Sequence, residues 1–388
     1  MKKYIAGLFI LLFYGTILAQ QNTGFRQGNI TSPQINNDNT VTFRLNAPLA
    51  QIVILAGDWE ANSGKGEMKK DTAGIWSFTT VVLPSDIYNY KFIVDDVPLL
   101  DPCNPFQCRD VGSLFSTFIV SKGRGDYYKV NDVAHGNVIR TWYHSNVFQK
   151  DRRLTIYTPP GYEDSKKKYP VLYLLHGSGG DEEAWINSGC LARIMDNLIA
   201  EGKANPMVVV MPNGNPSKQA APGETKDNFD YRPAMSNTFP GYKEGKYEMS
   251  FKEIIDFTDS HYNTIPEKSK RAIAGLSMGG FHTMYISANL PETFDYIGLF
   301  SPGLNFSGIN TSISTYANLD DKLLMFNKLG KKIYWIGVGK EDGLYDAIKN
   351  YRSRLDSLKI PYTYLESTRG HIWANWRAYM LDFVPQLF

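Results

Sequence analysis

Residues Arg271-Ala272-Ile273-Ala274-Gly275-Leu276-Ser277-Met278-Gly279-Gly280 set a serine between two glycines directly after a short apolar run, and no other feature of the chain restricts its fold as much. The pattern G-x-S-x-G describes a strand that turns abruptly into a helix, with the serine at the strained apex. Glycines on either side let strand and helix approach without a Cβ between them. The hydroxyl of Ser277 is then held up at the carboxyl end of a sheet, where a nucleophile belongs. Three fixed positions also arise by chance in long chains, so the surrounding residues decide the matter.

In an α/β-hydrolase the partners follow the nucleophile in the order acid, then histidine. The chain has six histidines: His135, His144, His176, His261, His282 and His371. Four precede Ser277, and His282 falls on the helix that the elbow opens, rotated away from the hydroxyl. His371 is left as the expected base, in Thr368-Arg369-Gly370-His371-Ile372-Trp373 between a strand at Pro361 to Leu365 and a closing helix. The acid is expected at the end of the preceding strand. Lys332 to Gly339 is such a strand and is followed at once by Lys340-Glu341-Asp342. Asp342 is the expected acid, with Glu341 and Asp346 near enough in sequence to compete. Its carboxylate would fix the imidazole tautomer and stabilise the imidazolium.

Pro170 to Leu175 reads as a buried strand, and it ends in the glycine-rich turn His176-Gly177-Ser178-Gly179-Gly180. In this fold the loop after that strand and the residue after the nucleophile each supply a backbone N–H to an oxyanion. The amides of Ser178 and Met278 are therefore the expected donors. His176 is expected to brace the loop.

His176 to Gly180, Trp185, the run from Asn197 to Pro212, Gly275 to Gly280, Gly339 to Asp342 and Gly370 to Arg377 together resemble the esterase D-like carbohydrate esterases, above all the feruloyl esterase domains joined to xylanases. The likeness runs from about Asn137 to Phe388. It implies an α/β-hydrolase fold with a mostly parallel central sheet and a Ser277–His371–Asp342 triad. It says less about substrate, because siderophore esterases and acyl-transferring relatives share the elbow.

Met1-Lys2-Lys3, the apolar stretch Tyr4 to Leu18 and Ala19 have the form of a signal peptide over residues 1–19, so export to the periplasm or beyond is expected, without a membrane anchor. Lysine plus arginine number 41 against 39 acidic residues, a balance that does not suggest nucleic acid as partner. Cys103 and Cys108 are spaced to close a short-loop disulfide if they pair. Cys190 sits with Leu191, Ile194, Met195, Leu198 and Ile199 at helical spacing, as a core thiol would. No histidine and cysteine cluster has metal-ligand spacing, so neither metal nor other cofactor is expected.

The pattern changes partway along. Val41 to Leu45, Gln51 to Ala56, Trp76 to Val82 and Tyr88 to Val94 alternate apolar with polar residues, as in an all-β sandwich over residues 20–121. Gly57-Asp58-Trp59, Met68, Gly74-Ile75-Trp76, Tyr88 to Val94 and Asp101-Pro102 make this part similar to early-set, carbohydrate-binding-module-like domains. Exposed Trp or Tyr faces would stack on sugar rings, but Trp59, Trp76, Tyr88 and Tyr90 alternate with polar residues as core-facing residues would, so a structural role for the module is expected ahead of glycan binding. Residues 122–136 read as a linker and 137–388 as the esterase domain. Every expected catalytic residue lies in that last part, so the segment before Asn137 is expected to be dispensable for its folding.

Asn213 to Tyr247 is a long polar stretch with Phe229, Tyr231, Phe239 and Tyr242, and it reads as a substrate-recognising loop. Trp185, Tyr231 and Trp373 are the candidates to line an aromatic acyl pocket, with packing beneath the site the equal alternative for the two tryptophans. The reading as a whole is a secreted serine carboxylesterase that frees ferulate-type groups from feruloylated arabinoxylan. A catecholate siderophore esterase and an acetyl xylan esterase using the same triad are the alternatives. Oligomeric state leaves no trace in these motifs.

Overall fold

The computed structural model describes residues 30–59, 65–225, 243–304, 306 and 308–388. The expected signal peptide therefore lies outside the described residues, as do Phe229, Tyr231, Phe239 and Tyr242.

The N-terminal part is built from β1 (Gln34–Ile35), β2 (Val41–Asn46), β3 (Val53–Gly57), β4 (Lys65–Glu67), β5 (Lys69–Lys70), β6 (Ile75–Thr79), β7 (Ile87–Val94), β8 (Val97–Leu99), β9 (Gln107–Asp110) and β10 (Ser113–Ile119). One sheet runs β1-β2-β6-β5, and the other β4-β3-β7-β10-β9 with β8 added to β7. The alternation seen in sequence puts Val41, Phe43 and Leu45 of β2 and Tyr88, Tyr90 and Phe92 of β7 into one shared core with Trp76 and Phe118. Trp59 stacks on Phe43 with ring centroids 5.7 Å apart. These aromatic residues form the interior of the sandwich. The strand expected to run to Val82 stops at Thr79. There the Thr80 hydroxyl accepts the Val41 amide, and Val81 and Val82 turn out to solvent.

The three cysteines are free thiols, so Cys103 and Cys108 are not bridged. Cys108 is buried and its Sγ donates to Asn89 Oδ1 at 3.2 Å, and burial pushes its thiol pKa up to about 12. Cys190, 2% exposed, takes the core place expected of it.

The second part carries β11 (Asn137–Ser145), β12 (Lys150–Thr158), β13 (Val171–Leu175), β14 (Val208–Pro212), β15 (Arg271–Leu276), β16 (Tyr296–Phe300), β17 (Ile333–Gly339) and β18 (Thr363–Ser367). They form one sheet in the order β11-β12-β14-β13-β15-β16-β17-β18, antiparallel as far as β14 and parallel from there on. β13 to β16 are near-continuous apolar runs buried on both faces, which requires helices above and below. These are α1 (Ala184–Asn187), α2 (Leu191–Ala200), α3 (Lys246–His261), α4 (Met278–Asn289), α5 (Leu319–Lys328), α6 (Tyr345–Ser357) and α7 (Trp373–Phe383). One face packs on α3 to α6 through residues such as Phe251, Phe281, Phe326 and Tyr351. The other packs on α2 and α7 through Leu191, Met195, Tyr379 and Phe383. The strand order reverses beside β13, and in such sheets ligands collect at the carboxyl ends around that reversal.

The stretch 122–136, expected as a linker, is not a free tether. It contains a 3₁₀ helix, Arg124–Tyr128, and Tyr128 is fully buried against the α2 and α7 core together with Ile87 of β7. Asn197 Nδ2 donates to the carbonyls of Tyr127 and Lys129, both at 3.1 Å, and Arg193 donates to that of Tyr128 at 2.9 Å. The reason is chemical: the polar side chains of α2 satisfy carbonyls that a tether would leave to water.

Candidate active site

β15 is buried along its whole length and ends at Ser277, whose backbone has φ 54° and ψ −116°. Such a conformation is strained for a residue with a Cβ and persists only where its surroundings insist on it. They do so through backbone groups: Ser277 N donates to Phe300 O at 2.9 Å, and Ser277 O accepts from Gly303 N at 2.8 Å. A Cβ on Gly275 would lie 2.4 Å from the Gly279 backbone, and one on Gly279 would lie 2.6 Å from the carbonyl oxygens of both Leu175 and His176. Both elbow glycines are therefore set by close approach. Ser277 itself is the one residue from 271 to 280 that is only partly buried.

Met278 opens α4, so its amide is among the first helical N–H groups, which have no acceptor within the helix. The turn after β13 comes up beside it. A Cβ on Gly177 would lie 3.2 Å from that of Ser277, and Gly180 N closes the turn onto Gly177 O at 3.1 Å with Ser178 exposed at its tip. The elbow and the Ser178 turn thus share the carboxyl edge of the sheet. His176 is buried beneath them: Nδ1 donates to Gly177 O at 2.7 Å and Nε2 accepts the Gly214 amide at 2.8 Å. Burial lowers its pKa to about 4, so the ring is a neutral brace with one tautomer.

His371 lies in the loop from β18 to α7. Its Nδ1 is 2.9 Å and 3.1 Å from the two carboxylate oxygens of Asp342, so Nδ1 carries a proton and Nε2 is the ring nitrogen turned away from the carboxylate. Asp342 is 4% exposed, while Glu341 and Asp346 are exposed, so geometry brings the first of the three to the histidine. Burial works to raise the Asp342 pKa. The hydrogen bond and charge of His371, the Leu344 amide and the Ser301 hydroxyl outweigh it and hold the carboxyl below its ordinary range. Asn375 braces the loop from within, donating to Thr368 O and Gly370 O at 3.0 and 2.9 Å. The Trp376 ring meets the His371 ring edge-on at 4.9 Å.

Two candidates for an acyl pocket require correction. Trp185 is 1% exposed, with its indole N–H donated to Leu175 O at 3.1 Å, and Trp373 is 8% exposed. The two rings meet at right angles, 5.3 Å apart, and pack beneath the site. The interior took them because an indole with its N–H satisfied is stable when buried. Tyr231 lies outside the described residues. The root of the long loop is anchored on Glu182, which accepts Asn213 Nδ2 and the Ala221 amide, each at 2.8 Å. Burial, with the charge of Asp181 added, raises Glu182 to a pKa of about 7.

Sequence reasoning missed the contacts that cross from the sandwich. Asp110, Arg109 and the carbonyl of Asp58 reach the His371 loop and the Ser178 turn through Trp373, Asp181 and Arg369, up to 311 positions away, and no local pattern marks them. Among the described residues no group of histidine, cysteine and carboxylate side chains could hold a metal ion, and no helix is long and apolar enough to cross a membrane.

The family model named Esterase, described as "Putative esterase", matches residues 145–387. An endo-1,4-beta-xylanase/feruloyl esterase of Xylanibacter ruminicola is 33% identical over 285 residues, taking in 70% of this chain and 36% of that protein. The chain thus spans about a third of the length of that relative. A ferulic acid esterase from Anaeromyces mucronatus, solved in complex with ferulic acid, is 24% identical with a TM-score of 0.55, over 67% of this chain and 93% of that one. An enterobactin esterase from Shigella flexneri, solved with enterobactin, is 16% identical with a TM-score of 0.63, over 89% of this chain and 92% of that one. These two likenesses concern the fold, and the second extends over the N-terminal sandwich as well.

Proposed function

Because this chain belongs to the Esterase family, we propose that it is an exported serine carboxylesterase that releases hydroxycinnamoyl groups of the ferulate type from plant cell-wall xylan. Ser277 attacks the ester carbonyl while Nε2 of His371 takes its proton. Asp342 holds the imidazole by Nδ1 and stabilises the cation that forms. The amides of Ser178 and Met278 receive the oxyanion. His371 then protonates the departing sugar alcohol, and water repeats the sequence on the acyl-enzyme.

The observation that carries the reading is the 2.9 Å bond from His371 to buried Asp342, formed at the same sheet edge as the strained Ser277 elbow. The choice of acyl group draws its support from the Xylanibacter ruminicola relative, and export from the residues Met1 to Ala19. Hydrolysis of methyl ferulate, acetylated xylan, p-nitrophenyl acetate and a catecholate siderophore by the purified chain tests it. Methyl ferulate is expected to have the highest kcat/KM, by roughly tenfold over an acetyl ester. Rapid siderophore cleavage with negligible ferulate release would move the protein to that class of esterase, and equal rates on acetyl and feruloyl esters would leave only a general esterase.

A further inference from the structure

The loop that carries His371 is tied to the sandwich on both sides of the histidine. Two residues before it, Arg369 Nη2 donates to Asp58 O at 2.7 Å. Two residues after it, Trp373 Nε1 donates to Asp110 Oδ1 at 3.0 Å. Asp110 ends β9, next to Val111, whose φ is 53°, in the tight connection to β10. The same hairpin tip holds the turn expected to bind the oxyanion. Arg109 Nη2 pairs with Asp181 at 2.7 Å, Arg109 Nη1 steadies the tip by donating to Val111 O, and a Cβ on Gly179 would lie 2.6 Å from the Val111 side chain. One short hairpin of the N-terminal part therefore touches both loops that must be in register for acyl transfer.

Trp373 lies where these contacts converge. Its ring meets Trp376 at 5.2 Å and 85°, and Trp376 in turn meets His371. On its other side it meets Trp185, whose indole N–H is bonded to the last residue of β13. The hydrogen bond that Trp373 donates to Asp110 fixes the plane of the Trp373 ring, and the edge-on packing passes that orientation to the imidazole and to the strand below the Ser178 turn.

We propose that the N-terminal sandwich is part of the catalytic apparatus, with Asp110 a positioning residue for His371 through Trp373, and Arg109 and Val111 positioning the Ser178 turn. The inference rests on the esterase reading above. It assigns the module a role on every ester, including small soluble ones that no glycan-binding surface could help.

The test uses the full chain, p-nitrophenyl acetate, and the rate at which an alkyl fluorophosphonate labels Ser277. Asp110→Ala is expected to lower kcat and the labelling rate together by roughly tenfold to a hundredfold, with KM within about twofold. Asp110→Asn keeps an oxygen to accept the indole N–H and is expected to stay within about threefold of wild type. Trp373→Phe should match Asp110→Ala, and the double variant should be no worse than either single one. Arg124→Ala, which loosens the boundary away from the hairpin, is expected to leave kcat unchanged. If Asp110→Ala is insoluble, Trp373→Phe carries the same test, since it removes the donor and keeps the aromatic edge. Wild-type kcat and labelling in a folded Asp110→Ala or Trp373→Phe would overturn the proposal alone. A wild-type chain that is neither labelled nor active on any ester would overturn the esterase reading and this proposal with it.

Discussion

The Ser277 elbow and the His371 loop bring their residues to the same sheet edge by opposite means. At the elbow almost every constraint is backbone: a positive φ, carbonyls from neighbouring strands, and glycines whose absent Cβ atoms leave room. The histidine loop is held mainly through side chains: Asp342, Asn375 and Trp376 from its own part and Asp110 across the boundary, where the Asp58 carbonyl also accepts from the Arg369 side chain. Backbone constraints are short-range and resist substitution elsewhere. Side-chain constraints over long sequence separations fail one at a time. The second region is therefore where activity can be lost with the fold kept.

The largest effect is expected from Ser277→Ala, which deletes one partly exposed hydroxyl and leaves the elbow's backbone contacts in place. kcat should fall roughly 10³- to 10⁶-fold with thermal unfolding unchanged, measured on methyl ferulate. Retention of more than about a tenth of wild-type activity would remove Ser277 as nucleophile.

On the other side of the comparison, Asp342→Asn keeps the shape of the site but no longer favours the tautomer with its proton on Nδ1. A loss on the order of 10⁴-fold in kcat is expected. A near-normal Asp342→Asn beside a crippled Glu341→Gln would show the acid to be misassigned.

Arg377→Ala probes the boundary between the two parts. The Arg377 side chain is 2% exposed and donates to Asp86 Oδ1 at 3.3 Å, to Ile87 O at 3.0 Å and to Ser188 O at 2.9 Å. Removing it leaves Asp86, itself fully buried, with Arg124 as its remaining cation partner among the described residues. Chemical denaturation should show a loss of about 3–5 kcal/mol. By the same contacts, a chain beginning at Asn137 should be insoluble or poorly folded, contrary to what the distribution of catalytic residues along the sequence suggests. A stable, fully active fragment would refute the boundary's importance.

The smallest effect is a pH dependence of stability at the floor of the elbow. His176 titrates at about 4 in the fold against 6.5 ordinarily, so the unfolded chain binds more protons between these values and stability falls as pH drops through that window. Glu182 titrates at about 7 against 4.5, so its contribution is present below 4.5 and is lost as pH rises through about 7. Each amounts to roughly 3 kcal/mol and they have opposite signs. Wild-type Tm should therefore change little between pH 4.5 and 6.5, whereas Glu182→Gln should lose stability on acidification. Equal slopes in the two proteins would count against this balance.

Much of the site was legible because elbow chemistry is local. Gly275, Ser277 and Gly279 lie within five positions, and a strand-to-helix turn at that spacing demands those residue types whatever surrounds it. The parallel strands declared themselves by their unbroken apolar runs. The order of acid and histidine along the chain follows from the order of strands in the sheet, so Asp342 and His371 could be anticipated from strand ends. Trp185 and Trp373 could not be placed, because an aromatic residue near a catalytic motif serves equally well in a pocket wall or beneath it, and burial decides between them. The stretch 122–136 misled for a related reason: its glycines and charges describe a connection, while the burial of Tyr128 depends on α2 offering Asn197 and Arg193 to its carbonyls.

The sequence by itself determined the strand-to-helix corner, the alternating core of the sandwich and the pairing of Asp342 with His371, since each depends on residue types a few positions apart or on element order. Only the tertiary structure decided that the sandwich is bonded to the His371 loop and the Ser178 turn. Asp110 and Trp373 are 263 positions apart, and Asp58 and Arg369 are 311 apart. A hydrogen bond depends on separation and angle in space, and nothing in either residue's own neighbourhood records which distant loop the folded core will bring against it.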